Sequence, residues 1–293
     1  MSIATHPETV AETGPARRVR TRRRRRLSAK RRLVLSAGSL GLLLACCLFL
    51  PTPYSPTDID ASSILQGPSL QHPMGTDRLG RDMLSRWLAA GRLDLPLAMG
   101  GAAIALVVGV LTGLLVSVKS VWSERAMRSL DLLQAFPLII LAMVFVSLSG
   151  NSLTMIMVAI ALIFAPMFVR SVRAEALTLR ESRFMEATAS IGAGRRRMLL
   201  RHMLPGVTAV VIVQIPLVAS GALLAVASLS FLGIGVQEPT PSWGAMVDSG
   251  SAQMVLGSWW VGIFPGLAIA VCGWLFTEIA DGLEGMLVGG RRG

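Results

Sequence analysis

The sequence predicts an all-α, polytopic membrane protein with about six transmembrane helices, and three observations predict it. Hydrophobic residues make up 53% of the 293 and the mean hydropathy is +0.61, more apolar side chain than a soluble chain of this length can hide. Charged residues are gathered into a few segments, which leaves uncharged runs close to the roughly 17–25 residues that cross a bilayer core of ~30 Å. Lys and Arg, in turn, favour alternate connections between those runs. The net charge of +11 therefore gives no support for a nucleic-acid partner, because repeated uncharged stretches of spanning length have no use in a nucleic-acid-binding domain.

Residues 1–32 read as a basic tail, with Arg17, Arg18, Arg20, Arg22 to Arg26, Lys30, Arg31 and Arg32 against Glu8 and Glu12. A nucleic-acid- or lipid-binding arm is one reading; a disordered tail that rests on anionic headgroups and sets orientation is favoured. Residues 33–50 are uncharged and form the first transmembrane helix. A signal peptide is disfavoured, since Phe49, Leu50 and Pro51 stand where a small-residue cleavage site belongs.

Residues 51–94 form a polar loop with Asp58, Asp60, Asp77, Asp82 and Asp94 against Arg78, Arg81, Arg86 and Arg92. Within it, a turn centred on Gly75 leads to a short amphipathic helix, with Leu79, Met83 and Trp87 at i, i+4, i+8. This helix either packs against the bundle at the membrane interface, the favoured reading, or touches substrate.

The second span is Leu95 to Val118, where Ala105, Gly109 and Gly113 make a small-residue stripe. Helix packing is preferred over pore lining. After Lys119, Glu124, Arg125 and Arg128, the third span runs from about Leu132 to Ser149, opened by Asp131, Gln134 and Pro137. Asp131 is a functional candidate as an ionisable group near the membrane. Stabilisation of its carboxylate by a helix N-terminus is the favoured, structural reading.

Gly150-Asn151 turns the chain into a fourth span, Leu153 to Val169, with Pro166 near its far end. Charge then returns between Arg170 and Arg201, eight Arg against Glu175, Glu181 and Glu186. The fifth span, Val207 to Phe231, has none. A Gly/Pro-rich loop with Glu238 and Asp248 leads to the sixth span, Ser258 to Phe276, which Trp259 and Trp260 anchor as an aromatic belt. The basic connections alternate with acidic ones, so the positive-inside rule puts both termini and the 170–204 segment in the cytoplasm.

Four segments carry a resemblance. His72-Pro-Met-Gly-Thr-Asp-Arg-Leu-Gly-Arg-Asp-Met-Leu-Ser-Arg86 is similar to the signature HPxGTDxxGRDxxSR, which includes His72, Gly75, Thr76, Asp77, Gly80, Arg81 and Asp82. Asp131-Leu-Leu-Gln-Ala-Phe-Pro137 and Ser230-Phe-Leu-Gly-Ile-Gly-Val-Gln-Glu-Pro-Thr-Pro-Ser-Trp-Gly244 are similar to segments of the same proteins. Glu186, Ala187, Gly192 and Pro205 fit E-A-x(4)-G-x(12)-P, with His202 and Leu204 alongside. Together they resemble the second permease subunit of oligopeptide/dipeptide (and nickel) ABC importers, a type I permease fold.

The resemblance implies a five-helix permease core over residues 95–284 and a cytoplasmic tail at 285–293. It implies a cytoplasmic coupling loop at 183–205, a short helix-turn-helix that docks in a cleft on an ATPase. The competing reading of that loop is an amphipathic helix lying on lipid. The implied partners are a homologous permease, two ATPase subunits that bind ATP and Mg, and an extracytoplasmic substrate-binding protein, in a bacterial inner membrane. Thr188 departs from the family, which often has a second Ala there. The segment from Ala280 is less like the family's usual ending, so no role is carried over to it, and the Arg-rich start has no family counterpart.

The chemistry agrees with a chain that hydrolyses nothing itself. Gly113-Leu-Leu-Val-Ser-Val-Lys119-Ser120 lacks the second glycine of a phosphate-binding loop and ends an uncharged span. An ion-coupled secondary transporter would carry ionisable groups in mid-span, where none is expected. A stand-alone channel remains the alternative, because filters can be built from backbone carbonyls. Cys46, Cys47 and Cys272 lie in apolar runs and imply no disulfide framework, and His6, His72 and His202 have no neighbours at metal-ligand spacing.

Overall fold

The computed structural model describes residues 15–118, 120–182 and 194–287, with side chains described from 28 onward except at 195, 196 and 200. The described residues hold eight helices of more than ten residues: α1 (Pro15–Phe49), α2 (Met83–Leu115), α3 (Val121–Ala135), α4 (Leu138–Leu148), α5 (Leu153–Arg180), α6 (Leu204–Phe231), α7 (Trp243–Val255) and α8 (Trp260–Leu287). Among them β structure is limited to one isolated bridge, Thr76 with Asp82. Five of the described helices are long and apolar enough to cross a membrane, and α3 with α4, bent by 86°, makes a sixth if the pair is one span.

Glycines set how the spans approach. A Cβ on Gly101, Gly109 or Gly113 of α2 would run into Ile160, Phe168 or Val172 of α5, an offset of 59 residues each time. A constant offset means that α2 and α5 run parallel, packed backbone to side chain along a small-residue stripe. The stripe of Ala105, Gly109 and Gly113 is therefore a packing surface. Gly206 meets Leu179 and Gly221 meets Phe164, so α6 runs antiparallel to α5. Gln214 joins the same pair by donating from Nε2 to Ser171 Oγ at 2.6 Å. Gly282 of α8 packs on Leu33 and Gly91 of α2 on Cys47, which holds α1 against the bundle.

Parallel α2 and α5 require the chain between them to return from one end of the bundle to the other, and α3 and α4 make that return. The sequence expectation of a single third span from Leu132 to Ser149 is corrected here. Pro137 cannot donate to a helical ladder and pushes Phe136 to extended backbone, φ −78° and ψ 145°, so α3 ends and α4 begins in a new direction. Asp131 therefore lies inside α3, away from any helix N-terminus, and only Pro137 stands at a helix start.

Other boundaries move for local reasons. Helix α1 reaches back to Pro15, where a disordered tail was expected, since extending a formed helix through Arg, Lys, Leu and Ala needs no new nucleation. The short amphipathic helix is the first turns of α2, which continues without a break past position 94. Leu79 precedes it in a turn, and Asp82 caps it by accepting from the Ser85 amide at 2.8 Å. The loop after α6 contains a helix of its own, α7, and the last span extends to Leu287 instead of stopping at Phe276. The Gly150-Asn151 turn is present, with φ of 73° and 56°.

Candidate functional site

At the end of the bundle where α2 begins, the 72–82 motif closes on itself and on two distant segments. Gly75 and Gly80 both adopt positive φ, and a Cβ on Gly80 would collide with the Asp60 carbonyl, so a side chain is excluded twice over. The backbone then places Asp77 to accept from the amides of Leu79 (2.8 Å) and Arg81 (3.0 Å) through Oδ1 and from Arg81 Nε (2.7 Å) through Oδ2. Arg81 reaches out with its other nitrogen to Glu238 Oε1 at 2.9 Å. Arg86, one turn into α2, lies 3.5 Å from the same oxygen and donates to the Pro56 carbonyl at 3.1 Å.

Two guanidinium groups and two carboxylates thus bind residues 51–82, the start of α2 and the segment before α7 into one knot. The Arg81 and Asp77 side chains are 3% and 4% exposed, so their charges are compensated by each other and not by water. Burial works to lower the Arg81 pKa, but the carboxylates of Glu238 and Asp77 outweigh it and raise the value. For Glu238 burial works upward, and the hydrogen bond and charge of Arg81 win, holding its carboxyl below the ordinary range. Asp60, capping a short turn at 61–63, is held low by the Ser62 and Ser63 hydroxyls and the Ser62 amide.

Around the knot, His72 Nδ1 lies 2.8 Å from Asp82 Oδ1, and its ring packs on Tyr54 at 4.9 Å between centroids. Thr76 Oγ1 donates to the Ser63 carbonyl and accepts from the Gln66 amide at 2.8 Å. Trp260 Nε1 donates to the Thr76 carbonyl at 3.1 Å, so this tryptophan fastens the loop. Trp259 beside it remains half exposed. All seven motif residues named from the sequence are brought together here.

Sequence reasoning named Arg86, Glu238 and Trp260 but not as partners of this motif, and it missed a second link one layer deeper. Asp94 is fully buried inside α2 and accepts from the Trp243 amide (2.7 Å) and the Ser242 hydroxyl (3.1 Å). It therefore caps α7 from another helix. Its position at the edge of a polar run concealed it; the Ser242-Trp243-Gly244 sequence was the available signal. An apolar pocket of about 390 Å³ opens beside α7, lined by Ile139, Ser228, Phe231, Gly244, Val247 and Ile269 among others.

At the opposite, arginine-rich end, Asp131 accepts from Arg170 at 2.7 Å and Glu124 from Arg173, which ties α3 to α5. Pro137 is the N-cap residue of α4. The chain re-enters α6 through a helical turn at Arg195–Met198 and a π-helical segment, Leu199–Met203, that contains His202. Leu204 begins α6, half-buried against the core, and Pro205 is exposed in its first turn, where a missing N–H costs nothing. Glu186, Ala187 and Gly192 lie outside the described residues.

Apolar crossings packed through glycines, with a polar knot at one end and an arginine-rich end opposite, define a polytopic α-helical membrane permease. Residues 105–292 match the family described as binding-protein-dependent transport system inner membrane component. The chain belongs to that family.

Relatives agree. The chain is 36% identical over 276 residues to a Brucella suis biovar 1 (strain 1330) protein named "Putative peptide permease protein", covering 94% of this chain and 91% of that one. It is 35% identical over 263 residues to the glutathione transport system permease protein GsiD of Pectobacterium atrosepticum, covering 88% and 87%. Against the protein of that name from Escherichia coli O1:K1 / APEC it is 37% identical over 250 residues, covering 84% and 82%.

Proposed function

We propose that this chain is one of two membrane subunits forming the translocation pathway of an ATP-driven importer for di- or oligopeptides. The relatives named for peptide and glutathione transport support the substrate class, glutathione being itself a tripeptide. The arginine-rich end faces the cytoplasm under the positive-inside rule, with both termini on that side. A homologous permease completes the pathway, and two separate ATPase subunits bind ATP with Mg. An extracytoplasmic binding protein delivers substrate to the end that carries the 72–82 knot.

The observation that carries this reading is where α5 ends and α6 begins. Helices α5 and α6 touch at Leu179 and Gly206, so the chain leaves and re-enters the bundle at one packed point. A force applied to the segment between is therefore delivered to both helices at once. Glu186, Ala187 and Gly192 are the contact residues on that segment, with His202, Leu204 and Pro205 forming its return into α6. Nothing in this role requires chemistry from Glu186.

The test is purification with native partners in mild detergent, followed by reconstitution and paired measurement of ATP hydrolysis and peptide uptake. Glu186→Lys and Gly192→Trp are expected to leave insertion unchanged while uptake falls about tenfold or more per ATP hydrolysed, as lost positioning commonly costs. Unchanged uptake in both variants overturns the coupling role. Recovery of the chain alone, passing solute without ATP, establishes the stand-alone channel or ion-coupled carrier instead.

A further inference from the structure

Helix α3 is held to α5 by ion pairs at Arg170 and Arg173 and lies off the packed bundle. The bend of 86° turns α3 away from α4, and α4 packs on α5, so with α4 following α5 across the bilayer α3 is directed close to the membrane plane. Its depth is set by α5. The uncharged run Leu153 to Val169 has 17 residues, about 25 Å of helix. Arg170 and Arg173 therefore mark the boundary between hydrocarbon and water. Those are the two residues that hold Asp131 and Glu124 of α3.

The same ion pairs sort the helix's charges. Its two carboxylates are committed to α5, on one flank. Val121, Arg125, Arg128 and Leu132 follow at i, i+4, i+7, i+11 and are all exposed, a stripe that carries positive charge and apolar side chains and no acid. Trp122 is 76% exposed, and the Arg125 guanidinium lies 5.1 Å from its ring centroid. Among the described residues Arg128 has no carboxylate partner within salt-bridge distance. A tryptophan and snorkelling arginines on one flat helix at the boundary are the composition of an interfacial helix.

The geometry points to α3 as an in-plane helix seated on anionic phospholipid, with Arg125 and Arg128 taking headgroup phosphates and Val121, Trp122 and Leu132 entering the acyl boundary. The charge sorting favours lipid over a protein partner, because a surface of one sign studded with apolar side chains complements a negatively charged leaflet. That leaflet is the cytoplasmic one under the orientation proposed above. The test does not depend on this, since nanodiscs present the same headgroups on both faces.

The experiment compares hydrogen–deuterium exchange of the full chain, with the subunits that purify with it, in nanodiscs of phosphatidylcholine alone and of phosphatidylcholine with phosphatidylglycerol. Amides of residues 121–135 are expected to exchange on the order of tenfold more slowly when the anionic lipid is present, with α5 and α8 unaffected. Arg125→Gln with Arg128→Gln removes the difference, and Arg125→Lys with Arg128→Lys keeps it. Equal exchange in the two lipids overturns the proposal, as does slowing that survives the glutamine pair. Protection that appears only with a second permease subunit, regardless of headgroup, assigns the stripe to protein. Each result is independent of whether peptide is transported.

Discussion

Arg81 sits between Asp77 on its own turn and Glu238 on a segment 157 positions away, and the two carboxylates are not equivalent. Asp77 is enclosed, so neutralising it leaves the buried Arg81 guanidinium with only the part-exposed Glu238, a loss of up to about 3–5 kcal/mol in comparable cases. Glu238 is 37% exposed, and water screens much of what it contributes. Its lowered pKa fixes the sign of the pH dependence. The link is fully present above the ordinary glutamate value and is lost as pH falls through the lower folded value. Thermal unfolding in detergent is expected to show an acid-dependent loss in the native chain that Glu238→Gln lacks, while Asp77→Asn lowers the midpoint at every pH. An identical acid profile for native and Glu238→Gln proteins would remove Glu238 from the knot. The motif residues themselves were readable, because His72, Asp77 and Arg81 are close in sequence and bonded to neighbours. Glu238 was visible only as one acid in a Gly/Pro-rich loop, since nothing local records a partner across the fold.

At the scale of elements, uncharged length located five apolar helices, though not their ends or the broken third span, because crossing a bilayer constrains composition directly. What it left out were features set by contacts between spans. Helix α7 was hidden because its 13 residues are too few to span and its start depends on Asp94 of another helix. The α3–α4 bend was hidden because Pro137 is equally compatible with opening a straight helix. The small-residue stripe was legible, and its packing role carries a prediction. A Cβ on Gly109 would lie 2.5 Å from Phe168 Cβ and 2.8 Å from the Ala165 carbonyl oxygen, and neither can retreat without moving α5. Gly109→Ala is expected to destabilise by about 1–3 kcal/mol, the usual cost of overpacking. Gly38→Ala on α1, with open space around the position, is expected to be neutral or to stabilise by up to about 1 kcal/mol through helix propensity. Thermal midpoints that move alike for the two variants would refute the glycine-stripe contact.

For the whole molecule, the parallel course of α2 and α5 decides how many times the chain crosses. If α3 and α4 together were a re-entrant loop, α2 and α5 would have to run antiparallel, since each would begin at the end where the other stops. The constant offset from Gly101–Ile160 to Gly113–Val172 excludes that. Helix α4 has only 11 residues, about 16 Å, so it covers roughly half of a ~30 Å core. Six crossings then put residues 120 and 150 on opposite sides of the membrane. A green fluorescent protein fused after Ser120 is expected to fluoresce, and alkaline phosphatase fused after Gly150 to be active, because each reporter works on only one side. The reverse pattern would keep six crossings and invert the orientation. Both positions reporting from the same side would mean that α3 and α4 do not cross, and the parallel packing of α2 on α5 would then be untenable.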